Sequence, residues 1–379
     1  MTLNMKKTIL TLILSLAALC ALAQNRRSET ILKEWEFRKG HDIEATEGWE
    51  AVSVPHDWAI YGPFDKANDL QTVAVVQNGE DVATEKTGRT GGLPYMGKGA
   101  YRRTLDIKAD ELDGRRHILM FDGAMSEAQV FVNGEKVCFW PYGYNSFHCD
   151  VTAQLKEGSN DIVVLLENRE QSSRWYPGAG LYRKVRHITQ PQVHVPVWGT
   201  YVTTPHIEKD HAVVSVRTKI EGVEKGSAVT LKTRILDAGG HAVACVTDTR
   251  LLHFGAIEQT LTVENPTLWT TEEPVMYFVE TEVYAGGSVN TDWNMDRPEI
   301  SIADGTVPCD KVSTRFGFRT IEIIPDKGFF LNGEARKFRG VCLHHDLGPL
   351  GAAINKAALR RQLTMLKDMG CDAIRTSHN

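Results

Sequence analysis

RGVCLHHDLGPLGAAINKAALRRQLTMLKDMGCDAIRTSHN, residues 339–379, is the stretch that decides the fold. It begins with a short apolar run, residues 339–343, which predicts a strand. Apolar side chains spaced by three and four then predict a helix over residues 355–369, with Asn355 as its N-cap and Gly370 after its end. A second apolar run, residues 371–374, predicts another strand. Strand, helix and strand in this order are typical of the opening of a parallel βαβ unit.

Polar residues follow both predicted strands. His344 and Asp346 come after the first strand, and Arg375 and His378 come at the end of the second. In parallel α/β folds the C-terminal ends of the strands carry the chemistry, so these four residues are candidates for a functional site. A structural hydrogen-bond network at the strand ends is the alternative.

The run His344-His345-Asp346 also has the residue types of a metal site. Neighbouring residues in an extended chain point to opposite sides, so the two histidines are not expected to share one ligand sphere. We therefore expect no metal site there.

Residues 28–190 have the pattern of a β-sandwich. Short segments rich in β-forming residues recur between turns, and they are residues 35–37, 49–54, 99–107, 117–121, 129–132 and 161–167. Asn133-Gly134 between two such segments predicts a tight hairpin, because both residues tolerate positive φ. The polar, glycine-rich stretch 65–98 predicts a surface insertion.

Residues 191–321 predict a second sandwich, of the immunoglobulin type. Apolar and polar positions alternate over several short segments, which are residues 212–220, 228–236, 242–246, 258–263 and 275–284. Residues 322–379 then hold a predicted hairpin at 329–334 and the βαβ unit. A closed (β/α)₈ barrel needs about 250 residues, so we expect a fragment of a longer enzyme or a truncated product.

Four motifs in order resemble the entry into the catalytic TIM barrel of glycoside hydrolase family 2. They are Arg315-Phe316-Gly317-Phe318-Arg319, Phe330-Leu331-Asn332-Gly333, Arg339-Gly340-Val341 with His344 and Asp346, and Arg375-Thr376-Ser377-His378-Asn379. Upstream, four further motifs resemble the jelly-roll sugar-binding domain of this family. They are Val54-Pro55-His56-Asp57-Trp58, Tyr101-Arg102-Arg103, Phe131-Val132-Asn133-Gly134 and Arg174-Trp175-Tyr176-Pro177-Gly178-Ala179-Gly180-Leu181-Tyr182-Arg183.

The resemblance implies roles for several residues. His344 and His378 match histidines that contact sugar hydroxyls, and imidazole suits this because it can both donate and accept a hydrogen bond. Asp346 and Asn379 lie beside them. Arg375 matches an arginine that holds the nucleophilic glutamate ionised. Family members commonly carry Glu where this chain has His345, so the resemblance assigns His345 no role.

The resemblance also assigns roles to two residues of the first sandwich. Arg174 and Trp175 match a loop that in the family reaches towards the active site. Trp175 would either stack on a sugar face or fill a domain interface. His56, Asp57 and Trp58 are expected to brace a loop within the first sandwich.

The resemblance implies that the protein hydrolyses terminal β-galactosides with retention, using two glutamates from later barrel strands that these 379 residues do not include. This chain by itself is therefore expected to be inactive. A β-glucuronidase is the first alternative, and a non-catalytic carbohydrate-binding sandwich protein is the second. The resemblance requires no cofactor but leaves room for a Mg²⁺ or Na⁺ ion, and a homo-oligomer is left open.

The N-terminus predicts export. Lys6-Lys7, the apolar run 9–22 and the small residues Ala21 and Ala23 form a signal peptide over residues 1–23, with lipidation at Cys20 as the alternative. Cleavage after Ala23 would leave a periplasmic or secreted protein without a membrane segment. A net charge of −5 argues against a nucleic-acid partner.

Export also makes disulfides possible. Cys138 and Cys149 could pair across two strands or remain thiols. Cys342 and Cys371 are expected to be small buried side chains of the barrel strands.

Overall fold

The computed structural model of this chain describes residues 26–65, 68, 72–76, 79–87, 94–169, 176–224, 226–252, 255–285, 289–291, 300–302 and 305–376. The predicted signal peptide lies outside this range. The described chain forms two compact units, one made of Ser28–Thr189 with Phe338–Asn379 and the other centred on Gln190–Lys337. Within the described ranges, no helix combines the length and the apolar character needed to span a bilayer.

The first unit contains a jelly-roll sandwich, as the sequence predicted. Its strands are β1 (Arg27–Thr30), β2 (Trp35–Lys39), β3 (Glu50–Val52), β4 (Thr72–Val75), β5 (Thr84–Thr87), β6 (Gly97–Ile107), β7 (Arg115–Phe121), β8 (Ala128–Val132), β9 (Glu135–Trp140), β10 (Phe147–Asp150), β11 (Gly158–Asn168) and β12 (Val185–Pro191), and a short helix α1 (Ala109–Leu112) precedes β7. One sheet has the order β1-β12-β7-β10, and the other has the order β3-β2-β6-β11-β8-β9.

Alternating side chains from both sheets meet in one core. Trp35, Trp58 and Tyr101 are its largest members, each no more than 1% exposed. The predicted hairpin at Asn133-Gly134 is present, with φ of 50° and 83° at its two residues. The β7–β10 and β8–β9 pairs bring Cys138 and Cys149 together, and a disulfide joins them.

The stretch predicted as a weakly patterned insertion carries a hairpin. Strands β4 and β5 pair antiparallel, with Thr72 opposite Thr87 and Val75 opposite Thr84. The run Thr72-Val73-Ala74-Val75 is rich in β-branched residues, and this signal was outweighed by the polar residues around it.

The second unit contains an immunoglobulin-like sandwich. Its strands are β13 (Thr200–Ile207), β14 (His211–Lys219), β15 (Ala228–Leu236), β16 (Ala242–Leu251), β17 (Ala256–Glu264), β18 (Tyr277–Ala285), β19 (Val289–Thr291), β20 (Ile300–Ile302) and β21 (Asp310–Phe316). The sheet β13-β14-β17 faces the sheet β16-β15-β18-β21 across two clusters of buried aliphatic and aromatic side chains. A small sheet of β22 (Ile321–Ile324), β23 (Gly328–Leu331) and β24 (Glu334–Ala335) follows in the same unit.

The predicted βαβ unit is formed by β25 (Gly340–Leu343), α2 (Lys356–Asp368) and β26 (Ala373–Thr376). The two strands pair in parallel, from Gly340 opposite Ala373 to Leu343 opposite Thr376. Asn355 caps α2 by accepting hydrogen bonds from the N–H groups of Ala357 and Ala358, as expected.

The prediction that Cys342 and Cys371 are buried is wrong. Cys342 is exposed and Cys371 is half-buried. A barrel strand is buried when helices and neighbouring strands cover it, and β25 pairs only with β26 among the described strands.

Candidate functional site

The ends of β25 and β26 bring sequence-predicted residues to one edge. Arg375 lies opposite Cys342 in the strand pair, and His344 directly follows Leu343, the last residue of β25. Asp346 comes two residues later. His344 and Asp346 are half-buried and Arg375 is exposed, with its Nη1 3.8 Å from the Cys342 sulfur. These three residues form a polar rim that a hydroxyl-rich ligand could contact.

The other predicted site residues lie outside the described residues. These are Arg174 and Trp175 of the first sandwich and His378 and Asn379 after β26. Their predicted roles stay predictions. Asp346 is the one carboxylate among the three described rim residues, whereas glycoside hydrolysis by two carboxyl groups needs a pair.

His345 contacts the sandwich. Its Nε2 lies 2.9 Å from the backbone oxygen of Pro177, so Nε2 carries the proton and donates it. Its ring meets Tyr144 and Tyr182 edge to face, with centroid distances of 5.3 Å and 6.0 Å. Burial lowers the pKa of His345, against smaller raising effects from Pro177 and Asp346. A neutral His345 therefore joins residues 338–376, which we call the barrel segment, to the jelly roll.

Asp57 forms a second connection between the barrel segment and the sandwich. Its carboxylate is 1% exposed and accepts four hydrogen bonds. Oδ1 accepts from the N–H groups of Ala59 at 3.0 Å and Ala179 at 2.9 Å. Oδ2 accepts from the Tyr176 hydroxyl at 2.6 Å and the Ala352 N–H at 2.8 Å. One side chain thus ties two loops of the sandwich to the segment between β25 and α2.

We call residues 344–354 the rim loop. Besides the bonds to Asp57 and Pro177, its Ile354 N–H donates to the backbone oxygen of Tyr182 at 2.9 Å. Three separate hydrogen bonds therefore position this loop against the sandwich, and they fix the backbone on which His344 and Asp346 sit.

The electrostatics around Asp57 follow from its burial. Removing the carboxyl group from water raises its pKa, and the four hydrogen bonds oppose that rise. Burial, and then the nearby charge of Asp57, raise the pKa of Tyr176 well above its ordinary value, with a smaller contribution from Asp346. Tyr176 therefore remains a hydrogen-bond donor at every physiological pH.

The rim loop and the sandwich approach so closely that Gly351 and Gly178 have no room for a larger side chain. A Cβ at Gly351, where φ is 58°, would lie 2.4 Å from the Asp57 Oδ2 and from a methyl carbon of Ile60. A Cβ at Gly178 would lie 2.3 Å from the Ala352 Cβ. Glycine at these two positions allows the rim loop and the sandwich to approach closely.

A cavity of about 520 Å³ opens where the end of the rim loop meets the sandwich. Its lining includes Glu50, His56, Tyr61, Leu350 and Asn355. His344, Asp346 and Arg375 do not line it. The cavity and the polar rim are therefore separate features of this unit.

Sequence reasoning missed part of this arrangement. It expected Asp57 to brace a loop within the sandwich, which the bonds to Ala59 and Ala179 confirm. The bond to Ala352, which is 295 residues away in the sequence, was not foreseen. The sequence signal for a buried Asp57 was its position between the aromatic side chains of His56 and Trp58.

Comparisons with known proteins agree with this architecture. Residues 15–191 match the sugar-binding domain of glycosyl hydrolases family 2, and residues 193–296 match a second profile described as glycosyl hydrolases family 2. Together these two matches cover the jelly roll and most of the immunoglobulin-like sandwich.

Individual relatives extend the similarity to the barrel segment. The chain is 35% identical to the β-galactosidase BoGH2A of Bacteroides ovatus over 95% of this chain and 39% of that protein. It is 26% identical to a β-glucuronidase of Bacteroides fragilis over 94% of this chain and 47% of that protein. A solved structure of a glycosyl hydrolase family 2 member from Bacteroides cellulosilyticus superposes with a TM-score of 0.77 at 30% identity, covering 93% of this chain and 43% of that one. The chain thus spans less than half the length of these relatives.

Proposed function

Because the chain belongs to glycosyl hydrolase family 2, we propose that the protein hydrolyses terminal β-galactosides with retention of configuration. The observation that carries this proposal is the placement of His344, Asp346 and Arg375 at one edge of the parallel pair β25–β26. This is the edge at which barrel enzymes bind substrate. The similarity to a β-galactosidase supports the choice of sugar.

The rim residues would act on the substrate as follows. His344 would exchange hydrogen bonds with sugar hydroxyls, and Asp346 would accept bonds from two adjacent hydroxyls. Arg375 would lie beside the nucleophilic carboxylate and keep it ionised by lowering its pKa. His378 and Asn379, with Arg174 and Trp175, would complete the sugar site.

The two catalytic carboxyl groups would come from barrel strands outside these 379 residues. A retaining glycosidase needs them about 5–5.5 Å apart, one as acid and base and the other as nucleophile. We therefore propose that activity belongs to a longer polypeptide, in line with the length of the relatives, and that residues 1–379 alone do not turn over substrate.

A β-glucuronidase is the alternative, favoured by the similarity to the Bacteroides fragilis enzyme. A glucuronide differs from a galactoside by a carboxylate, which needs a cation or hydrogen-bond donors in the site. Arg375 is the one cation among the described rim residues. The two sugars are distinguished by assay.

The test is hydrolysis of nitrophenyl β-galactoside and nitrophenyl β-glucuronide by the native full-length protein. We expect faster turnover of the galactoside, with the β-anomer as the first product by NMR. His344→Ala should lower kcat/KM by about 10–100-fold, since hydrogen bonds to a substrate contribute about 1–3 kcal/mol. His148→Ala, at an exposed position of the sandwich, is the control and should leave the rate unchanged.

Other outcomes would contradict the proposal in distinct ways. Faster hydrolysis of the glucuronide would replace the galactosidase by the alternative. If His344→Ala keeps full activity on both sugars, the polar rim takes no part in the mechanism. Failure to hydrolyse either sugar, with retained sugar binding, would favour a non-catalytic carbohydrate-binding protein.

We also propose that the protein is exported. The apolar N-terminal run supports this, and so does the disulfide between Cys138 and Cys149, since disulfides persist in oxidising compartments. The mature protein is expected to begin at Gln24. Mass spectrometry of the native N-terminus tests this, and an N-terminus at Met1 or Met5 would contradict it.

A further inference from the structure

The turn between β13 and β14 gathers two histidines and a carboxylate. The two strands are joined by the two-residue loop Lys209-Asp210, because the Glu208 N–H donates to the His211 backbone oxygen at 2.8 Å. Ile207 lies opposite Ala212 in the next pair of the ladder. Glu208 and His211 are therefore direct cross-strand neighbours at the end of the hairpin.

Strand geometry places three side chains on one face. His206 and Glu208 are two residues apart and point to the same side, while His211 faces Glu208 from the partner strand. Ala212, one residue further on, is fully buried in the sandwich core, so the face of His206, Glu208 and His211 is the solvent face. His206 and Glu208 are exposed and His211 is half-buried.

The donor atoms of the three residues converge. One ligand atom from each of His206, Glu208 and His211 lies within 4.8 Å of the others. The His206 Nε2 is 2.8 Å from a Glu208 carboxylate oxygen, and the imidazole rings of His206 and His211 are 5.9 Å apart between centroids. In a tetrahedral site with bonds of about 2.0–2.2 Å, ligand atoms are about 3.3–3.6 Å apart. Small side-chain rotations at an exposed turn would reach this geometry.

Asp210 forms a hydrogen bond with one of these three residues, His211. Its carboxylate lies 2.9 Å from the His211 Nδ1 and accepts a hydrogen bond from it. This bond places the His211 proton on Nδ1 and leaves Nε2 with a lone pair. A carboxylate in this role is typical of metal-binding histidines, since it fixes both the tautomer and the ring orientation.

We propose that His206, Glu208 and His211 form a binding site for a divalent transition-metal ion, best fitted by Zn²⁺, with Asp210 as a positioning residue. Two imidazoles and one carboxylate suit Zn²⁺, whereas Ca²⁺ and Mg²⁺ prefer oxygen ligands. On binding, the ion takes the lone pair of the His206 Nε2, and the proton that Nε2 shared with Glu208 is replaced by one on the His206 Nδ1 through exchange with solvent, so the ring stays neutral. The site lies on the immunoglobulin-like sandwich and involves no residue of the proposed sugar site.

The test is calorimetric titration of Zn²⁺ into the untagged chain after its free thiols have been alkylated. We expect one Zn²⁺ per chain at this hairpin, and Co²⁺ at the same site should give visible absorption bands. His206→Ala combined with His211→Ala should weaken the binding of Zn²⁺ more than about 100-fold, and Asp210→Asn about tenfold. These side chains lie on the solvent face, so the variants should keep the circular dichroism of the parent.

His241→Ala is the matched control. His241 is also an exposed histidine beside a carboxylate, Asp237, at a turn of the same sandwich, at 3.3 Å. It should leave the Zn²⁺ affinity unchanged. Equal Zn²⁺ affinity in the parent and the double variant would overturn the proposal, as would loss of binding in the His241 variant alone.

Discussion

The jelly-roll sandwich and the barrel segment after Phe338 belong to the same compact unit, but they bury their side chains to different degrees. The sandwich encloses large aromatic side chains such as Trp35 and Tyr101 at 1% exposure or less. In the described barrel segment only Gly351 and Ala352 are buried, and both lie in the rim loop. On α2, Met365 is 56% exposed.

This difference indicates that contacts with the sandwich keep the barrel segment ordered. Its own strands and helix bury too little apolar surface to offset their conformational entropy. The hydrogen bonds of the rim loop to Asp57, Pro177 and Tyr182 supply the contact with a well-packed body. The sandwich therefore acts as the template on which the rim of the proposed site is positioned.

Removal of the Asp57 carboxylate should have the largest effect on this arrangement. Asp57→Ala leaves three buried N–H groups and the Tyr176 hydroxyl without their acceptor, at about 1–3 kcal/mol for each group that finds no water. We expect a loss of at least about 3 kcal/mol in the free energy of unfolding, measured in urea by tryptophan fluorescence. Asp106→Ala, at an exposed position of β6, should change it by less than about 0.5 kcal/mol. Equal effects of the two variants would contradict the account of Asp57.

A fall in pH should destabilise the sandwich, because its buried histidines must then bind protons. His187 packs against His117, with 2.9 Å between their ring nitrogens, and burial lowers the pKa of His187 to about 4 from 6.5. Between these values the unfolded chain binds a proton that the folded chain does not. His187 therefore does not reduce the free energy of unfolding above pH 6.5. As the pH drops towards 4, His187 lowers the free energy of unfolding by up to about 3 kcal/mol.

Nearby charged and ionisable groups also act on the pKa of His187. His117 and Arg103 lower the pKa of His187 further, and Glu111 raises it. His187→Gln should reduce the slope of the free energy of unfolding against pH between pH 4 and 6.5, by up to the slope that one bound proton produces. An unchanged slope in the His187 variant would show that other groups control the acid response.

The glycines of the rim loop allow the contact to be broken without changing a polar group. Gly351→Ala would place a Cβ against Asp57 and Ile60, which should reduce the stability by about 2–3 kcal/mol through overcrowding and positive φ. Gly348→Ala is a matched control, because Gly348 also has a positive φ, of 61°, but has nothing within 4 Å of its would-be Cβ. It should reduce the stability by only about 1 kcal/mol. Similar losses in both variants would mean that close packing at Gly351 contributes nothing.

The smallest expected effect comes from Tyr176. Tyr176→Phe removes one of the four bonds to Asp57 and leaves its three backbone donors in place. We expect a loss of about 1 kcal/mol in the free energy of unfolding, since the ring still fills its space. A loss as large as that of Asp57→Ala would mean that the hydroxyl, and not the backbone bonds, holds the rim loop.

The two sandwiches and the βαβ unit were predictable because their signals are local. Strand alternation, the Asn133-Gly134 turn and the Asn355 cap each depend on a few neighbouring residues. His344 and Arg375 were placed at one edge from the same βαβ pattern, which the parallel register of β25 and β26 confirms.

Contacts between distant segments were not predictable in this way. The bond from Ala352 to Asp57 and the bond from His345 to Pro177 depend on how whole elements pack. The exposure of Cys342 was mispredicted for the same reason, because burial of a strand depends on what covers it. His206, Glu208 and His211 were overlooked because a histidine near a turn has no distinctive spacing until the strand register is known.

Amide hydrogen exchange measured by mass spectrometry tests most directly whether the sandwich positions the rim. We expect slow exchange for the rim loop at Ala352 and Ile354, and fast exchange for the exposed helix α2. We further expect Asp57→Ala to accelerate exchange in the rim loop to the rate of α2, and Asp106→Ala to leave it unchanged. Rim-loop exchange as fast as that of α2 in the parent chain would contradict the claim that the jelly roll holds this loop in place.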